Sequence, residues 1–151
     1  MKPTAPAIAL FTLSLLALLG VLALPSKVSV RHLKIASPHY AIPNETVTVR
    51  ITASSETDDG EEIGFLHVEY STDGGETWIA ECYKENLGTQ GDCTFEITVG
   101  ASSTVTMVRA RVAFRGGTAG YVDFKGLPLD WSGSWSSWSS PPTKKKLIRV
   151  D

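Results

Sequence analysis

The chain has 151 residues, of which 42% are hydrophobic and 20% charged, with a formal net charge of −2. That suffices for one domain with its own core and is too apolar for a disordered chain. The near-neutral balance argues against a general binder of polyanions, so nucleic acid is not an expected partner.

The chain opens with a basic residue, Lys2, and then an uncharged run, "AIALFTLSLLALLGVLAL", from Ala7 to Leu24. Pro25, Ser26 and Lys27 end it. This is the layout of a secretory signal peptide over residues 1–23, with Val21 and Ala23 at the small-residue positions before the cut. A run over 7–24 is also just long enough to be a retained membrane anchor. Both readings expect the remaining domain, 28–150, to be secreted or held at the cell surface, and a membrane partner only where the anchor is kept.

From Val28 onward the apolar residues recur at period two, separated by turn chemistry, which predicts an all-β, two-sheet antiparallel sandwich. Val28 to Ile35 is the first expected strand. Asn44-Glu45-Thr46 then forms an N-glycosylation acceptor, with Asn44 the candidate site. In Thr46 to Ala53, Val47, Val49 and Ile51 share one face. The acidic stretch Glu56 to Glu62 reads as a solvated loop. Leu66, Val68 and Tyr70 share a face in the next strand, and His67, on the opposite face, is expected in solvent.

"STDGGETW", Ser71 to Trp78, matches the Asp-box pattern. A single copy reads as a hairpin turn, with Asp73 bonding to nearby backbone rather than acting as an acid catalyst. Cys82 and Cys93 are the two cysteines, and an even count in an exported chain predicts a disulfide. Phe95, Ile97 and Val99 mark a further core face. In "TVTMVRARVAF", Val108, Ala110, Val112 and Phe114 are expected in the core, with Arg109, Arg111 and Arg115 together on the other face. A glycine-rich insertion follows, then the Ser/Trp stretch, then a last strand, Lys144 to Val150, whose lysines read as an edge guard. His32, His39 and His67 have no metal-ligand spacing, and no hydrolase, zinc-protease or phosphate-loop motif occurs. The expectation is a non-enzymatic protein with no metal and no cofactor.

"WSSWS", Trp135 to Ser139, resembles the WSxWS box of class I cytokine receptors, which sits in a fibronectin type III domain before its last strand. Arg109 and Arg111 stand at the spacing of that domain's F-strand arginines, and "FLHVEYSTDGGETW" is similar to its C–C′ hairpin. The resemblance implies a fibronectin type III or immunoglobulin-like domain in which Trp135 and Trp138 interleave with Arg109 and Arg111 as a structural ladder. Guanidinium groups about 7 Å apart on one strand face can hold an indole between them. Thr106 replaces the family's F-strand tyrosine, and receptor activity is not carried over. The expected function is a secreted or cell-surface protein-interaction or adhesion module. Its contact loop is the insertion Gly116 to Trp131, through Tyr121, Phe124, Leu127 and Trp131. A carbohydrate-binding sandwich and a membrane-anchored subunit of a surface assembly are the alternatives.

Overall fold

The computed structural model describes residues 30–56, 60–116, 120–129 and 143–151. The leader, Trp131, Trp135 and Trp138 lie outside the described residues, so the signal-peptide and tryptophan-ladder expectations do too. Within them, no helix is long and apolar enough to cross a membrane.

Among the described residues, nine strands form two sheets: β1 (Val30–Ala36), β2 (Tyr40–Ala41), β3 (Thr46–Glu56), β4 (Glu62–Ser71), β5 (Ile79–Gly88), β6 (Gln90–Thr98), β7 (Val105–Arg115), β8 (Tyr121–Val122) and β9 (Lys144–Val150). One sheet has the order β1-β3-β6. The other has the order β2-β9-β7-β4-β5, with β8 added to the end of β7. All pairings are antiparallel except β2 with β9. The chain therefore leaves the first sheet after β1, crosses at Ser37–His39, and joins the edge of the second as β2.

The core faces read from sequence are buried; in the middle of β4 and β7 the outward residues Phe65, His67, Arg111 and Ala113 are buried as well. Val47, Val49 and Ile51 of β3 and Phe95 and Ile97 of β6 meet Leu66 and Val68 of β4 and Val108, Ala110, Val112 and Phe114 of β7 in one core. β9 adds Ile148 and Val150 from its inward face. Two inner faces of branched and aromatic side chains exclude water between the sheets, which is the main force holding the sandwich together.

The predicted disulfide forms between Cys82 and Cys93, with Cα atoms 6.5 Å apart. Since β5 belongs to one sheet and β6 to the other, it ties the two layers where the chain passes between them. The Asp-box is a turn, as expected: the Asp73 carboxylate accepts from the Ser71 hydroxyl at 2.7 Å, the Thr77 amide at 2.9 Å and the Thr77 hydroxyl. These bonds hold the Asp73 carboxyl down at about 2, the Thr77 hydroxyl contributing most. It closes β4 onto β5 and delivers Trp78 to the outer face of the larger sheet.

Candidate functional site

The outer face of the larger sheet is covered by charge and aromatic rings. Arg109 donates through Nε to Glu69 at 3.0 Å, across the β4–β7 pair, and its guanidinium lies 3.7 Å from the Trp78 ring centre. Arg111 is 1% exposed and donates through Nε to His67 Nδ1 at 3.3 Å. His67 Nε2 stands 3.6 Å from Glu69. Tyr83 meets His67 edge-on with ring centres 5.8 Å apart. Phe65 and Tyr121 extend the layer, with ring centres 6.2 Å apart.

One expectation changes here, and two partners enter. Arg109 and Arg111 share a face with Arg115, as period two requires, and Arg111 is buried on it. His67, expected in solvent, is 6% exposed. Burial first, then the Arg111 charge, push its pKa down to about 4, with Glu69 opposing. A neutral His67 accepts at Nδ1 and carries its proton on Nε2, toward Glu69. Burial also lowers Arg111 to about 10, again against Glu69. Trp78 and Glu69, the described partners of Arg109, were absent from the sequence-derived set. Their signal was available: Glu69 lies two residues from His67 on one strand face, and Trp78 ends the Asp-box.

The insertion after β7 is a tight hairpin where it is described, not an open loop. Val122 bridges Pro128, and the Leu129 amide donates to the Tyr121 carbonyl at 2.8 Å. Asp123 is fully buried at its base, and its Oδ1 accepts from the Lys125 and Leu127 amides at 2.8 and 2.9 Å. Such side-chain-to-backbone bonds fix a turn without a long strand on either side. Gly126 sits at φ 84°, and a Cβ there would meet the Arg31 guanidinium at 2.9 Å. Arg31 in turn holds Glu61 with two bonds, at 2.7 and 2.8 Å.

The four proposed contact residues therefore part company. Tyr121 lies over Gly64, where a Cβ would approach its ring to 2.5 Å. Phe124 packs half-buried against the core. Leu127 is 56% exposed at the tip. Trp131 lies outside the described residues. Asn44 is exposed in the turn before β3, with φ 62°. Among the described residues, no group of three or more His, Cys, Asp or Glu is placed to hold a metal ion.

No protein-family model matches this sequence, and a search of curated proteins gives no match. Solved structures do share its architecture. The chain is similar to a superoxide reductase (neelaredoxin) from Ignicoccus hospitalis, with a TM-score of 0.50, 13% identity, and coverage of 82% of this chain and 83% of that one. Looser likenesses are to murine CRIg (TM-score 0.39, 10% identity, 80% and 98% covered) and to the sporulation control protein Spo0M of Bacillus subtilis (TM-score 0.39, 9% identity, 83% and 50% covered). At such identities the first is a likeness of fold alone, and the other two are too loose to carry an argument.

Proposed function

We propose that the chain is an exported, non-enzymatic protein-interaction module of the fibronectin type III or immunoglobulin-like kind, with residues 1–23 as leader and 28–150 as the domain. Two features support the domain type. The segment resembling a C–C′ hairpin is the β4–β5 pair, and the strand resembling F, β7, lies between β4 and β9, where a C′-C-F-G order requires it. A disulfide between the layers is compatible with an extracellular location.

The observation that carries the interaction reading is the hairpin 121–129. It is anchored by Asp123, Arg31 and Phe124, and it presents Leu127 to solvent from a preset backbone. A rigid turn with an exposed aliphatic tip loses little entropy on binding. Leu127→Asp in the exported chain tests this by surface cross-linking and capture. Partner capture is expected to be lost with the melting temperature unchanged. Undiminished capture by the variant overturns the hairpin's role.

A further inference from the structure

Strand β9 is paired on one side along most of its length and on the other for only two residues. β7 pairs with it from Lys144 to Arg149, whereas β2 meets its other side at Arg149 and Val150. The Arg149 amide donates to the His39 carbonyl at 2.9 Å and the Asp151 amide to the Ala41 carbonyl at 3.2 Å. Odd-numbered residues therefore direct their backbone groups to that side. By the same period, Lys145 and Leu147 do so as well. Among the described residues, no strand pairs with them there.

Two clefts flank this open stretch. One of about 430 Å³ separates β9 from β1 and is lined in part by Lys34, Phe124, Lys144 and Lys146. The other, of about 590 Å³, is bordered by Tyr40, Lys145, Leu147 and Arg149. No aspartate or glutamate lines either cleft. Arg31, also in the first cleft, is answered by Glu61. Lys34, Lys144, Lys145, Lys146 and Arg149 form no ion pair with a described carboxylate. Four of the 14 lysines and arginines of a chain with net charge −2 thus lie on β9, with Lys34 of β1 across the first cleft, and no described acidic residue lines either cleft. The Lys144 ammonium donates to the Leu33 carbonyl of β1 at 2.7 Å and lies 5.3 Å from the Phe124 ring centre, which positions it in the cleft and leaves N–H donors for a guest carboxylate.

We propose that this edge of β9 binds an extended, acidic segment of a partner protein as an added strand. The proposal rests on the interaction-module reading and names the chemistry of the partner. The backbone groups of Lys145 and Leu147 supply the pairing, in line with the two residues of β2 that already occupy the same row. Alternate guest side chains meet Lys145 and Arg149 on the solvent side, and Lys144, Lys146 and Lys34 on the cleft side. Leu147 and Tyr40, 46% and 62% exposed, offer apolar contact between the charges. A second copy of this edge is a poor occupant, since lysines would face lysines. The charge that repels self-pairing selects a carboxylate-bearing strand.

The test is fluorescence anisotropy of the full chain with a labelled Glu-Val alternating peptide of roughly eight residues, a strand's length. Lys-Val and Glu-Pro alternating peptides serve as controls. Binding is expected for the Glu-Val peptide alone. Leu147→Pro removes one outward amide while sparing the β7 ladder, and it should weaken binding about five- to tenfold. Lys145→Glu/Lys146→Glu keeps the backbone and should weaken it at least as much, so the proposal stays testable even where the proline variant misfolds. Equal affinity for the Glu-Pro peptide, or no effect of either variant, overturns strand addition. So does self-association of the chain through this edge, or binding of heparin but not of the Glu-Val peptide. If the Glu-Val peptide fails to bind while Leu127→Asp still abolishes capture, the edge proposal falls and the interaction-module reading stands.

Discussion

His67 and Arg111 are the residues whose chemistry the fold alters most. Both sit on the outward face of their strands, and both are buried there among charged and aromatic neighbours. His67, with a folded pKa near 4 against an ordinary 6.5, binds fewer protons folded than unfolded between those values. Stability is therefore full above pH 6.5 and falls as the pH drops toward 4, by roughly 3 kcal/mol at most. Denaturant titrations across that window should show the loss, and His67→Gln, which keeps an acceptor for Arg111, should flatten it. Thr106 is a second case. It is buried in β7, and its hydroxyl has no hydrogen-bond partner among the described residues. Thr106→Val keeps the shape and removes the unmet polar atom, so it should stabilise the domain by about 1 kcal/mol in chemical denaturation.

Among the elements, the β5–β6 passage depends on its disulfide. The bridge joins strands of different sheets across a separation of 11 residues, a short loop whose closure contributes about 2–3 kcal/mol. Cys82→Ser/Cys93→Ser should lower the unfolding free energy by that amount while leaving the β-rich circular dichroism spectrum intact. The Asp-box turn has a different role: it sets the β4–β5 pairing and carries Trp78 over Arg109. A motif read as a bare turn thus also supplies an aromatic partner to the cation layer. The hairpin 121–129 shows the reverse. Its glycines and aromatic residues suggested a free loop, but Asp123 and Phe124 root it in the fold and leave Leu127 as its exposed point.

At the scale of the whole molecule, the charge distribution matters more than its total. A net charge of −2 implies no preference for anions, yet among the described residues the corner between β1 and β9 is lined by lysines, an arginine and apolar side chains, with no carboxylate. The crossing of the chain from one sheet to the other leaves that corner open. Compartment belongs to this scale too. Cleavage after Ala23 predicts that amino-terminal sequencing of the exported protein begins at Leu24, and recovery of an intact Met1 would mean that the apolar run is kept.

The strands and their buried faces were legible because a strand's period is two and does not depend on its neighbours. Val47, Val49 and Ile51, or Val108 to Phe114, could be placed on a core face without knowing which strand lay alongside. The cysteine pair and the Asp-box turn were legible for a similar reason, since each is a short-range constraint. Periodicity is silent on which strands are adjacent, and so on which outward side chains meet. Glu69 reaches Arg109, Arg111 reaches His67 and Arg31 reaches Glu61 because of long-range register, fixed by the joint packing of the two sheets. The half-paired edge of β9 has the same origin. It exists because the chain switches sheets between β1 and β2, an outcome of the assembled sandwich that no local run of residues encodes.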